Sequence, residues 1–272
     1  MGFSKSKDIE RLHLKFCKSI LGVKQSTCNA AVYSELGRYP LFITRYVQII
    51  KYWLKILNSN NIILKTVLNA SIKLHEHNIP SWASKVHTLL DDYGFTEVWN
   101  NPSQYDAKIF VKLFKQRVID CFLQKLTSDI TNSPLLNSFY IYLYKSFEMA
   151  NYLKILHNKT YRNCLSRLRL SAHKLRIETG RYGANRLPRS ERICQFCFSN
   201  NYLEDEFHFI LVCTCYSNIR SLYIKKYYYR RPSMYKLIEL FSTTKKSELI
   251  NLCKYIFYAT KYRNELLSTT NV

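Results

Sequence analysis

Residues 194–213, CQFCFSNNYLEDEFHFILVC, bring Cys194, Cys197, His208 and Cys213 into one short stretch. Two cysteines separated by two residues fit on one tight loop and turn both sulfurs toward a single ion. Zinc takes thiolate and imidazole ligands tetrahedrally, and a structural site fills all four positions with protein. Three thiolates and one imidazole complete that shell and leave no position for an activated water. The expected cofactor is therefore Zn in a structural role. His208 and Cys213 are five residues apart, about 140° around an ideal α-helix. A helix end or turn must therefore fall between them. Cys215 lies close enough to compete with Cys213 for the fourth place, with Cys213 preferred. The acidic run Glu204, Asp205 and Glu206 has two readings. It starts the helix that carries His208, where negative charge suits the positive helix end, or it forms a solvated face.

The surroundings of this stretch are basic. Between His157 and Arg192 stand ten Lys or Arg residues and two acidic ones. Arg167, Arg169, Lys174, Arg176, Arg181, Arg186 and Arg189 are candidate phosphate contacts, since the planar guanidinium matches phosphate geometry. Gly180 and Gly183 loosen the backbone there. Beyond the cysteines, YIKKYYYRRP supplies Lys225, Lys226, Arg230 and Arg231 among tyrosines. Basic groups can follow a sugar-phosphate chain while aromatic rings stack on bases; the alternative buries those rings in a helix interface.

The whole chain carries 41 Lys plus Arg against 19 Asp plus Glu, a formal charge of +22. Self-repulsion of that size is relieved by a polyanion, and nucleic acid, RNA or DNA, is the expected partner. No run of about 18 apolar residues occurs, so no membrane span is expected. The N-terminal segment lacks an apolar signal core, which points to a reducing intracellular location, nuclear or cytoplasmic. MGFSKS does fit the acylation pattern through Gly2 and Ser6, but one acyl chain binds membranes only marginally.

Catalytic constellations are not evident. Asp91 and Asp92 in LDDY end a helical pattern and lack the further carboxylates of a two-metal site. His75 and His77 in HEH lack the helical spacing of a zinc protease. No phosphate-cradling glycine loop or nucleophile elbow is present. His13, His87, His157 and His173 have no sequence partner and are expected to be structural.

The elements that must position these groups read as helices. With 47% hydrophobic residues but only 6 Gly and 6 Pro, long helices are favoured over many short strands. Apolar spacing of three and four predicts helices over 7–21 (face Ile9, Leu12, Phe16, Ile20), 42–57 (including Ile49, Ile50, Trp53) and the region of Leu64, Val67, Leu68 and Ile72. It predicts others over Trp82–Leu89, over 104–126 (burying Ile109, Phe110, Leu113, Val118, Phe122), over 137–157 and over 159–172, and three after the cysteines. In STCNAAVYSELGRYP, Ser26 or Thr27 can cap a short helix, with Gly37 as its left-handed exit. The class is mainly α: a helical region over 1–130, and a basic helical domain over 131–272 with a small CCHC knuckle at 190–216.

IERLHLKFCKSILGVKQSTCNAAVYSELGRYPL, LLDDYGFTEVWNNP, FKQRVIDCFLQ and HKLRIETGRYGANRLPRSERICQFCFSNNYLEDEFHFILVC, in this order, resemble the region that follows the polymerase domain of non-LTR retrotransposon reverse transcriptases. The resemblance runs from about residue 8 to 264, and its last stretch is the most specific. It implies a helical thumb and linker followed by a C-terminal domain with a zinc knuckle, whose ligands fall on Cys194, Cys197, His208 and Cys213. Thr214 stands where many relatives have proline, and the polymerase catalytic motifs are missing. The resemblance thus implies a part that is not an enzyme by itself. It would hold RNA and DNA during target-primed reverse transcription, or pack against a polymerase core as an interaction scaffold.

Overall fold

A computed structural model of the chain describes residues 6–136, 139–182, 186–197 and 202–270. Gly2 and Gly183, noted above, lie outside them. The protein is mainly α-helical, and the one isolated bridge among the described residues pairs Ile193 with Leu203. The chain folds as two units. One comprises the residues up to Lys15 with Tyr39–Ser128, and the other comprises Phe16–Arg38 with everything from Asp129 onward. The expected division after residue 130 kept 1–130 in one body, but Phe16–Arg38 belongs with the second unit.

Helices α1 (Ser6–Leu21) and α2 (Asn29–Leu36) are followed in the first unit by α3 (Leu41–Leu57), α4 (Ile62–Glu76), α5 (Trp82–Asp92), α6 (Thr96–Asn100) and α7 (Ala107–Thr131). Helix α3 packs on α4 and α5. Their shared core holds Ile43, Ile50, Trp53, Leu68, Val86, Leu90 and, from α7, Phe110, Phe114 and Val118. The α5 start is fixed by reciprocal bonds between Ser81 and Ser84, a capping box that satisfies amides with no helical partner. Asp91, at the end of α5, accepts a hydrogen bond from Thr96 at 2.5 Å, a structural contact within the turn.

Part of each of three expected core faces is turned outward. Ile9, Leu12 and Phe16 on α1 are exposed, as are Val67 on α4 and Ile109 and Leu113 on α7. Helix α1 instead buries Cys17 and Leu21, with His13 and Lys18 beside them. A helical period states which residues share a face, not which face meets the core.

The second unit adds α8 (Tyr140–Leu143), α9 (Asn151–Ile155), α10 (Lys159–Arg169), α11 (Arg176–Thr179), α12 (Ser217–Tyr223), α13 (Lys226–Arg230), α14 (Met234–Ser242) and α15 (Lys246–Thr270). Helices α10 and α12 pack on α15, around a core with Leu165, Phe209, Tyr216, Leu249, Leu252 and Tyr255. The helix expected over 137–157 is replaced by the two short turns α8 and α9. The backbone between them makes one bond to α2: Ala150 N–H donates to the Glu35 carbonyl at 2.8 Å. Cys28, not Ser26 or Thr27, occupies the position before α2, and makes no side-chain cap.

Gly37 ends α2 at φ 55°. A Cβ there would lie 2.3 Å from Met149 N and 2.5 Å from the Glu148 carbonyl carbon. Gly37→Ala is therefore expected to cost about 2–4 kcal/mol, from left-handed strain plus a forced backbone shift. A urea titration measures it, and an unchanged midpoint would refute the close approach.

Candidate metal centre and basic surface

The first two cysteines sit on a loop closed by short backbone pairing. Cys194 N–H donates to the Tyr202 carbonyl at 2.8 Å, and Glu204 N–H to the Arg192 carbonyl at 2.9 Å. Within the loop, the amides of Phe196 and Cys197 are directed at the Cys194 sulfur. Amide donors of this kind favour a thiolate over a thiol. The Asp205 carboxylate then caps the next helical segment, accepting from His208 N–H at 2.8 Å. The acidic run thus begins the helix that carries His208, and it is not a solvated face: Glu204 and Glu206 are both buried.

His208–Val212 forms a π-type turn, and Cys213 N–H closes it onto the His208 carbonyl at 2.8 Å. The wider i→i+5 turn solves the spacing problem. Five residues separate a ligand pair poorly on an α-helix but carry only a little past one π-turn. The π-type turn stops at Val212, and Cys213 leaves it in a non-helical conformation.

The four donor atoms of Cys194, Cys197, His208 and Cys213 all lie within 4.8 Å of one another. Cys194 Sγ is 3.9 Å from Cys213 Sγ, and Cys197 Sγ is 3.4 Å from His208 Nε2. With metal–sulfur bonds of about 2.3 Å, the edge of a tetrahedron is about 3.8 Å. These two separations are close to that edge, and the group can hold a metal ion. Cys213, not Cys215, completes it.

Electrostatics agree with the geometry. The Cys213 thiol donating to Cys194, with help from His208, holds Cys194 well below the ordinary thiol range despite burial. Cys213 is driven upward by that same shared proton and by burial. Neighbouring thiolates repel each other in a buried site, and a cation removes that conflict.

A tightly bonded shell supports the loop. Glu204 accepts from Arg263 at 2.6 and 2.8 Å, and from the Arg176 backbone N–H at 2.7 Å. The Arg263 guanidinium lies 5.5 Å from the Phe196 ring centroid, beside Cys197. Arg220 donates to the carbonyls of Ile210 and Cys213 at 2.8 and 2.6 Å. Tyr202 stacks on the His208 ring with centroids 5.4 Å apart. His173 meets Glu206 at 2.8 Å, so this histidine does have a partner. His208 Nδ1 is buried without a hydrogen-bond partner among the described residues. Arg263 and Arg220 gave no signal in local spacing, and Glu204 only that of the acidic run, because their partners are remote in sequence or are backbone groups.

The candidate basic contacts divide into exposed and committed groups. Lys174, Arg186, Arg189, Lys226, Arg230 and Arg231 are exposed, and Arg167 is exposed while donating to the Gly22 carbonyl at 2.7 Å. Arg176 is half-buried; with Lys174 it lines a cavity of about 450 Å³ that also includes Gln195, from the loop between the first two cysteines. Lys225 pairs with Glu248 at 2.5 Å. Arg181 is drawn inward to Glu178 at 2.9 Å and donates to the Pro134 carbonyl.

Arg169 corrects the sequence expectation: it is 5% exposed and cannot meet a phosphate in this arrangement. Its Nε lies 3.2 and 3.1 Å from the two Glu35 oxygens, its Nη2 2.8 Å from Oε1, and its Nη1 donates to the Phe241 carbonyl at 3.1 Å. Burial alone would lower the guanidinium pKa, but the Glu35 carboxylate reverses this and raises it. The tyrosines after the cluster also divide. Tyr228 is buried, whereas Tyr227 and Tyr235 are 55% and 74% exposed.

No helix among the described residues is long and apolar enough to cross a membrane. No family model, curated protein or solved structure matches the chain.

Proposed function

We propose that the chain is a zinc-containing, nucleic-acid-binding part of a non-LTR retrotransposon reverse transcriptase, from its C-terminal region and non-catalytic by itself. Zinc is favoured over other ions by the donor chemistry, because three thiolates and one imidazole in a tetrahedral, closed arrangement suit it best. The ion would tie the 194–197 loop to the His208 segment.

One observation carries the nucleic-acid reading. Arg167, Lys174, Arg186, Arg189, Lys226, Arg230 and Arg231 face solvent on the unit that holds the cysteine–histidine group. In a chain of charge +22, such residues supply phosphate contacts whose strength comes from counterion release. About six contacts give a slope of log affinity against log salt near −5 on duplex DNA. Fluorescence anisotropy between 50 and 200 mM salt, on the order of the range where this term dominates, measures it. Weak binding that ignores added salt would sink the reading.

A second reading rests on the exposed apolar residues Ile9, Leu12, Phe16, Ile109 and Leu113. Spaced at one helical face on α1 and again on α7, they fit a scaffold that packs against a protein partner such as a polymerase core.

A further inference from the structure

The segment after α12, the start of α15 and Lys145 line an open surface cavity of about 660 Å³, whose walls include Tyr227, Tyr235, Glu239, Lys245 and Glu248. Its aromatic wall is held rigidly. The Tyr227 hydroxyl donates to Glu239 at 3.1 Å. Lys236 Nζ donates to the Tyr227 carbonyl at 2.6 Å and sits 4.6 Å from that ring's centroid. Tyr228 meets the same ring edge-on, with centroids 5.0 Å apart, and directs its own hydroxyl to Glu248 at 3.4 Å. Glu248 also accepts from Lys225 and from Thr243 at 3.0 Å. Tyr235 is the ring left open: it is 74% exposed and lines the same cavity.

An exposed ring over a cavity with fixed polar walls is suited to a flat, partly polar group. Beside it, on the same stretch of chain, Lys226, Arg230 and Arg231 are exposed. Resting on the nucleic-acid reading above, we infer that this cavity takes an unpaired base of a single-stranded nucleic acid, stacked on Tyr235, with its phosphates on Lys226, Arg230 and Arg231. Bases within a duplex have both faces covered by neighbours and cannot stack on a protein ring without leaving the helix, whereas a single strand offers its bases freely. The cavity therefore separates strand types, while the flanking cations do not.

The test uses the whole chain with a single-stranded oligonucleotide carrying 2-aminopurine, and with a duplex of the same sequence. Tyr235→Ala changes a solvent-facing side chain and leaves the fold intact. The wild-type protein is expected to quench 2-aminopurine in the single strand. Tyr235→Ala is expected to abolish the quench and weaken single-strand affinity about ten-fold, the scale of one base–aromatic stack, while duplex affinity stays within about two-fold. If Tyr235→Ala leaves single-strand binding unchanged, or weakens both strand types equally, the base site is wrong while the nucleic-acid reading stands. If the wild-type chain binds neither, both fall together.

Discussion

Cys197→Ala is expected to abolish metal retention and to unfold the region around residues 190–216. The local backbone gives the reason. Two backbone bonds, Cys194 to Tyr202 and Glu204 to Arg192, form the Ile193–Leu203 bridge that closes the loop. Glu204, at the end of the loop, is further held by Arg263, and an ion bound by the four donors would add a cross-link to the His208 segment. A structural ion contributes its binding energy directly to folding, on the order of 10 kcal/mol in small zinc domains. Loss of one of four ligands is thus expected to cost more than about 4 kcal/mol. Metal content per chain and thermal unfolding measure the effect, and Cys215→Ala is the control because Cys215 lies outside the donor set. Equal metal content and an unchanged melting curve in Cys197→Ala would end the assignment.

The second large effect concerns Glu35 and Arg169, at 2% and 6% side-chain exposure. Removing either partner alone leaves a buried charge uncompensated, at a cost of about 3–5 kcal/mol. The nearest buried phenols offer no replacement. Tyr140 and Tyr152 are buried close by, and burial together with the Glu35 charge pushes both phenols well above their usual range, so neither becomes a counter-ion. Glu35→Leu and Arg169→Met are each expected to lower the denaturant midpoint strongly, and the double variant to regain most of the loss. The double variant should also keep the wild-type salt slope for nucleic acid, because Arg169 does not reach solvent. Single variants within about 1 kcal/mol of wild type would show that the pair is not essential to stability.

The donor set was legible because all four side chains fall within twenty residues. The chemistry of soft ligands is stated by residue type alone, and only the shape of the turn between His208 and Cys213 had to come from coordinates. Arg169 was not legible. Its neighbours in sequence are those of a solvent-facing arginine, and its partner stands 134 residues earlier. Arg263 and Glu204, 59 residues apart, are the same case. Mean helical content followed from apolar spacing, but Ile9, Leu12 and Phe16 fit the helical period without meeting a core. The tyrosine-rich stretch before α10 failed for another reason: the Ala150 amide bonds to the Glu35 carbonyl of α2, a competitor that local propensity does not register.

The discontinuous second unit has a consequence for synthesis. Phe16–Arg38 leaves the ribosome early, yet the residues it packs with begin at Asp129 and include Arg169, the partner of Glu35. All of Tyr39–Ser128 emerges in the meantime and can complete its own fold first. The early segment therefore waits, with an ionised carboxylate unmatched, until the later half arrives. Nascent chains halted before Arg169 should leave that segment open to protease, and this window is where a folding helper would act.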